Sequence, residues 1–385
     1  MAKNAIEKMI AKTFLDMADG LETGSFGPRP RIAVTGLGSE HGEANSVEAA
    51  ILAADRGVDV TLIGTAENEK FKTVQVPDED TMYKEMEKLL DSGDIDGCVT
   101  MHYPFPIGVS TVGRVVTPGK GKQMFIATTT GTSSAERIEA MIKNAIYGII
   151  TAKACGIKNP KVGILNVDGA RQCEGALKEL QANGYDIQFA ESSRADGGCV
   201  MRGNDLLVSA CDVMVTDSLT GNILMKMMSS YCTGGSYEAM GYGYGPGIGE
   251  GYDRLVLIVS RASGAPVLAN AMEYAAQLVK GDYKAVAKAE FEAAHKAGLD
   301  AVIAARKPAK KEAASDEVVE CPPKEVVTAS IAGIEVMDLE DAVQALWKEK
   351  IYAESGMGCT GPLVMMSEAN KERATEILKK AGYIS

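Results

Sequence analysis

The strongest regularity in this chain is a change of rhythm that repeats from Arg31 onward. Short unbroken apolar runs alternate with glycine- or serine-bearing turns and then with stretches whose apolar positions fall three and four apart. Runs at Ile32–Thr35, Val58–Ile63, Cys98–Thr100, Met124–Thr128, Val162–Asn166, Ile187–Ala190, Val213–Thr216 and Leu255–Val259 read as buried strands. Helices are expected from about Ser46 to Arg56, over 265–280 and over 283–297. Ser133-Ser-Ala-Glu136 has the spacing of a capping box and opens a helix to about Cys155, which Gly156 closes. Strands alternating with helices predict an α/β fold with a mostly parallel sheet and flanking helices.

The flanks behave differently. Residues 3 to 20 place Ile6, Met9, Ile10, Phe14 and Met17 on one helical face, predicting a helix that docks on a core or a partner subunit. The segment from Gly234 to Gly251 is dense in glycine and carries Tyr237, Tyr242 and Tyr244; it reads either as a mobile active-site loop or as a surface connection. Residues 306 to 317 are charged and poor in apolar side chains, as a linker would be. The expected organisation is therefore an N-terminal helix (1–30), a main domain (31–303), a linker (304–323) and a small C-terminal α/β module (324–385). That module should hold a helix of about 339–352 bearing Trp347, a loop at Gly356–Pro362, a strand at Leu363–Met366 and a helix from Ser367 to about Lys380.

Composition narrows the function. Fifty-two acidic against forty basic residues give a net charge of −12, and no long basic stripe is present, so nucleic acid is not an expected partner. No apolar run is long enough to span a bilayer. The eight cysteines make no CxxC pair and none neighbours a histidine at ligand spacing, so no metal site is expected. No secretory signal is evident, which predicts reduced thiols and a cytoplasmic protein. Cys98, Cys155, Cys173, Cys211 and Cys232, with Met225, Met227 and Met228, read as core packing.

Candidate chemistry gathers in a few places. Gly356-Met357-Gly358-Cys359-Thr360-Gly361 puts a thiol among three glycines whose amides could lower its pKa and hold an oxyanion. A small residue filling a tight turn is the competing reading, and spacing leaves both open. Asp217-Ser-Leu-Thr220-Gly-Asn222, with Lys226 one turn on, leaves a buried strand and enters a helix; these side chains could orient phosphate or could serve turn and cap. Arg261, after another buried strand, could donate to an anion or could belong to an ordinary polar strand-to-helix loop. Gly36-x-Gly38 lacks the GxGxxG spacing of a dinucleotide fold, so NAD binding is not expected, although such a loop can seat phosphate. His102, in a proline-rich turn, reads as structural.

The segment from Asp212 to Lys226, Asp-Val-Met-Val-Thr-Asp-Ser-Leu-Thr-Gly-Asn-Ile-Leu-Met-Lys, resembles the D-V-V-V-x-D-G-F-x-G-N-x-x-L-K motif of the phosphate acyltransferases of phospholipid synthesis. Those enzymes make an acyl phosphate from an acyl thioester and phosphate, on a fold similar to isocitrate and isopropylmalate dehydrogenases. The likeness runs over roughly residues 30 to 300. It departs at Thr35–Glu40, where the family has D-A-M-G-G-D, and at Ser218, where it has glycine. The whole chain, Gly358-Cys359-Thr360-Gly361-Pro362 included, is similar to the alpha subunits of component C of the glycine/sarcosine/betaine reductase complexes.

That resemblance implies a reactive cysteine at Cys359 and a system that forms acetyl phosphate. It implies a selenoprotein partner delivering a carboxymethyl group, a thiolase-like beta subunit, phosphate as co-substrate and no resident cofactor. Gly356, Gly358, Thr360 and Gly361 would frame the thiol, and Asp217, Thr220, Asn222, Lys226 and Arg261 would seat phosphate. Two alternatives stay open: an acyltransferase that works alone on acyl thioesters, and a non-catalytic scaffold for the beta subunit.

Overall fold

The computed structural model describes residues 10–21 apart from 12, 16 and 19, then 29–194, 197–306, 319–334, 338–358 and 361–384. Residues 307–318 of the expected linker (304–323) and the thiol Cys359 with its neighbour Thr360 lie outside these residues.

The strands are β1 (Arg31–Thr35), β2 (Asp59–Gly64), β3 (Lys72–Gln75), β4 (Gly97–Thr100), β5 (Val109–Val116), β6 (Gln123–Thr132), β7 (Lys161–Leu165), β8 (Gln188–Phe189), β9 (Val200–Met201), β10 (Val213–Val215), β11 (Gly245–Ile248) and β12 (Val256–Ile258). They form one sheet in the order β3-β2-β1-β4-β12-β11-β5-β6-β10-β7-β8, with β9 also on β7. The two flanks are parallel. β11 and β5 join them as an antiparallel pair, antiparallel also to β12 and β6 respectively. A predominantly parallel sheet has both faces covered, which is why its strands read as continuous apolar runs.

Helices α1 (Glu43–Asp55), α2 (Glu79–Ser92), α3 (Arg137–Ala154), α4 (Ala170–Ala182), α5 (Gly203–Leu207), α6 (Ser218–Ser230), α7 (Ala265–Lys280), α8 (Tyr283–Lys296) and α9 (Leu299–Ala304) cover those faces. α1 packs on α7, and α3 packs on α4, α8 and β10. The largest core, with Ile32, Leu62, Ile146, Tyr147 and Tyr274 fully or almost fully buried, fills this side. Smaller clusters around Met124, Met214 and Met225, and around Ile63, Met82 and Met86, fill the other.

Several expectations are corrected. β3, α2 and β5 lie where no element was read, and β11 lies inside the glycine-dense segment at the centre of the sheet, so that segment is not a surface loop throughout. The capping box does not form: Glu136 caps α3 without a side-chain bond, its amide donating to Ser134 Oγ, while Ser133 Oγ donates to Asn144 Oδ1. Cys232 is exposed and Met227 is 64% exposed, because both fall on the outward side of α6 and the turn after it. Among the described residues 10–21, Ile10, Phe14 and Met17 are exposed rather than docked on this chain's core.

The C-terminal module has a three-stranded antiparallel sheet of β13 (Ala329–Ala332), β15 (Gly361–Met366) and β14 (Ala353–Gly358), covered by α10 (Leu339–Lys348) and α11 (Lys371–Lys380). It owns a separate core built on Ile331, Leu346, Val364, Met366 and Leu378. Gly356 and Gly358 belong to β14 and Gly361 opens β15, so the expected loop is a hairpin whose ladder closes with Gly358 opposite Gly361. No helix among the described residues is long and apolar enough to cross a membrane.

Candidate active site

A cleft of about 520 Å³ opens where several strands end. Met101, His102 and Tyr103 reach it from the end of β4, and Ile258, Val259, Ser260 and Arg261 from β12. Thr130 comes from β6, and Asn222 and Lys226 from α6, the helix that follows β10. β4, β12, β6 and β10 each run parallel to a neighbouring strand, and open α/β sheets bind ligands beyond their carboxyl ends. The structure thus brings Asn222, Lys226 and Arg261 together. It also brings His102, read from sequence as structural, onto the exposed rim.

α6 owes its position to two residues of the 212–226 segment. Asp217 is the N-cap: its carboxylate accepts from the Thr220 amide at 3.0 Å and from the Thr220 hydroxyl at 2.7 Å. These two candidate site residues are hydrogen-bonded to each other at the cap, and Asp217 lines a second cavity with Ser133 and Arg137. Gly221 lets the helix lie directly on β6, since a Cβ there would stand 1.7 Å from the Thr128 carbonyl oxygen. Beside that contact, the Asn222 side-chain amide donates to the Thr129 carbonyl at 3.1 Å.

The cations of the cleft are partly engaged. Lys226 Nζ stands 3.8 Å from Glu238 Oε1 and 5.6 Å from the centre of the Tyr244 ring. Arg261 donates to the Gly38 carbonyl at 3.0 Å and pairs with Glu79 at 3.3 Å. Tyr244, buried, was read only as part of the glycine-dense segment, and Glu238, also buried, was not singled out from sequence because nothing local marks it. Burial pushes the Tyr244 hydroxyl pKa up and the Glu238 charge adds to it, so Tyr244 stays a hydrogen-bond donor. On the opposite wall Tyr103 is set by Arg254, which donates to the Tyr103 hydroxyl at 2.9 Å and to Glu87 at 2.7 Å.

The first loop packs inward against the start of α1. The Glu43 carboxylate fills the gap left by the missing side chains of Gly36 and Gly64 and accepts from the amides of Thr65 and Ala66. Burial alone would raise its pKa, but the bond from the Thr65 hydroxyl, with those from the two amides, outweighs burial and holds it low. Burial likewise pushes the Cys98, Cys173 and Cys211 thiols up and that of Cys155 to about 12, which keeps them protonated and unreactive. Among the described residues no group of three or more His, Cys, Asp or Glu could hold a metal ion.

The chain thus carries a mixed α/β sheet with a polar, partly cationic cleft at strand ends, and comparison with known proteins shows its family. The family model described as "Fatty acid synthesis protein" matches residues 30–365. The glycine/sarcosine/betaine reductase complex component C subunit alpha of Peptoclostridium acidaminophilum is 63% identical over 99% of both chains. Phosphate acyltransferases match more distantly, that of Lysinibacillus sphaericus at 26% identity over 51% of this chain and 70% of that one. A branched-chain phosphotransacylase structure from Enterococcus faecalis V583 aligns with 64% of this chain and 99% of its own at 17% identity and a TM-score of 0.45. The chain belongs to the fatty acid synthesis protein family and, within it, to the component C alpha subunits of glycine/sarcosine/betaine reductase complexes.

Proposed function

We propose that this chain is the acetyl-transferring subunit of a glycine reductase-type complex, holding an acetyl thioester on Cys359 and releasing acetyl phosphate with inorganic phosphate. The observation that carries this reading is the convergence of Asn222, Lys226, Ser260 and Arg261 on one cleft, in a chain 63% identical to a component C alpha subunit. A phosphate oxygen attacks the thioester carbonyl, the carbon–sulfur bond breaks, and sulfur leaves as thiolate, a good leaving group. The Lys226 ammonium and the Arg261 guanidinium suit the phosphate charge, and Asn222 suits its oxygens. Hairpin amides near Cys359 would hold the tetrahedral oxyanion. The thiolase-like beta subunit and the carboxymethyl-bearing selenoprotein are the proposed partners, and the cytoplasm the proposed compartment.

The test is the phosphate dependence of acetyl phosphate formation by the reconstituted complex. Lys226→Met is expected to raise the KM for phosphate about tenfold or more, the scale of one charge-assisted bond. An unchanged KM would remove phosphate from this cleft. A second reading, an acyltransferase working without partners, is favoured by one observation: among the described residues, those lining the cleft all precede position 262, and none belongs to the C-terminal module. It predicts that Cys359→Ala leaves turnover of acyl thioesters intact.

A further inference from the structure

Among the described residues the main domain holds four buried carboxylates: Glu174, Asp205, Glu238 and Glu290. Three belong to networks that tie the scaffold together: Glu174 with Arg171 and Lys178, Asp205 with Ser192, Ser193 and the Arg202 amide, and Glu290 with Lys153 and Tyr185. Glu238 is different, because it stands directly behind the cleft.

Its backbone is laced to the turn after β12. The Glu238 amide donates to the Ala262 carbonyl at 3.0 Å, and the Gly264 amide donates to the Glu238 carbonyl at 2.8 Å. Its carboxylate accepts from the Tyr244 hydroxyl at 2.9 Å and from the Ser263 hydroxyl at 3.1 Å. Ser263 Oγ accepts in turn from the Ser260 amide at 3.1 Å. The Lys226 ammonium completes the set at 3.8 Å. Three groups facing the cleft, Lys226, Tyr244 and Ser260, are therefore tied to this one carboxylate, directly or through Ser263.

A charge this deeply buried is costly unless paired, so Glu238 holds a cation near it. A lysine on an exposed helix face otherwise samples many rotamers. At 3.8 Å the ammonium is drawn toward Glu238 without being saturated, which leaves N–H donors for an anion on the cleft side. We propose that Glu238 is a positioning residue that fixes Lys226 and the Ser260–Ser263 turn to receive a phosphate group. This rests on the reading that phosphate occupies the cleft.

Electrostatics makes the proposal sharp. If Glu238 were a bystander, removing its negative charge would leave anion binding equal or tighter. If it positions Lys226, removal weakens binding despite the more favourable charge. The experiment titrates inorganic phosphate into the full-length chain, followed by phosphorus NMR line broadening, for wild type, Glu238→Gln, Lys226→Met and the double variant. Glu238→Gln is expected to weaken binding about tenfold, Lys226→Met at least as much, and the double variant no more than Lys226→Met alone, since Glu238 acts through the lysine. Thermal melts confirm folding. If Glu238→Gln does not fold, Glu238→Asp carries the test, because it retains the charge, withdraws it by one methylene and should weaken binding in the same direction. Equal or tighter binding by Glu238→Gln while Lys226→Met weakens it, or additive losses in the double variant, overturns the inference and leaves the phosphate reading standing. Absence of wild-type phosphate binding, or binding indifferent to Lys226, overturns both.

Discussion

Gly221 shows how much one residue settles. Helix α6 approaches β6 so closely that the Thr128 carbonyl occupies the space of a side chain. Gly221→Ala forces helix and strand apart and should cost about 3 kcal/mol, the upper part of the range for overpacking. It should also move Asn222 and Lys226 out of register with the cleft. Urea unfolding of the full chain checks this: a midpoint within error of wild type would contradict the contact. Asp217 and Thr220 teach a complementary lesson. Read from sequence they fit either a ligand or a helix cap, and their mutual hydrogen bonds place them in the cap. Asp217→Ala should cost about 1 kcal/mol of stability and affect phosphate binding less than Lys226→Met does. Glu238 could not be read from sequence at all, because its meaning lies in Lys226, Tyr244 and Ser263, brought to it by three different parts of the fold.

Legibility at the scale of elements followed burial. Most strands of the parallel flanks were readable because strands covered on both faces carry unbroken apolar runs, whereas β3, part-exposed at the sheet edge, was not. β11 was not, since Gly245-Pro246-Gly247-Ile248 opposes strand propensity and owes its place to the neighbours β12 and β5. The end of α8 carries a pH-dependent tie. His295 bonds Glu250, in the β11–β12 connection, at 3.0 Å and Asp300, on α9, at 3.0 Å. The bond to Glu250 raises the His295 pKa most, burial opposes it, and Asp300 adds to the rise. A histidine raised in the folded state adds stability that is fully present below its unfolded value of about 6.5 and is lost as pH climbs through the folded value. Denaturant midpoints should therefore fall across that window in wild type and fall less in His295→Gln; identical profiles would contradict the tie.

At the scale of the whole molecule, the described residues form two hydrophobic systems. The clusters of the main sheet draw on residues 32–303, and the module's cluster on residues 329–384. Independent cores predict independent melting, so calorimetry of the full chain should show two transitions, with the smaller absent from a chain ended at Arg306. One transition lost as a whole in the shortened chain would mean a single cooperative unit. The division also frames the chemistry proposed here, with phosphate seated in the main domain and the thiol carried by the C-terminal module. The most direct measurement of that account is peptide mass spectrometry of the chain after incubation with acetyl phosphate. The account predicts an acetyl group on Cys359 that arsenate discharges and that Cys359→Ala abolishes; an unacetylated Cys359 that remains open to alkylation would contradict it.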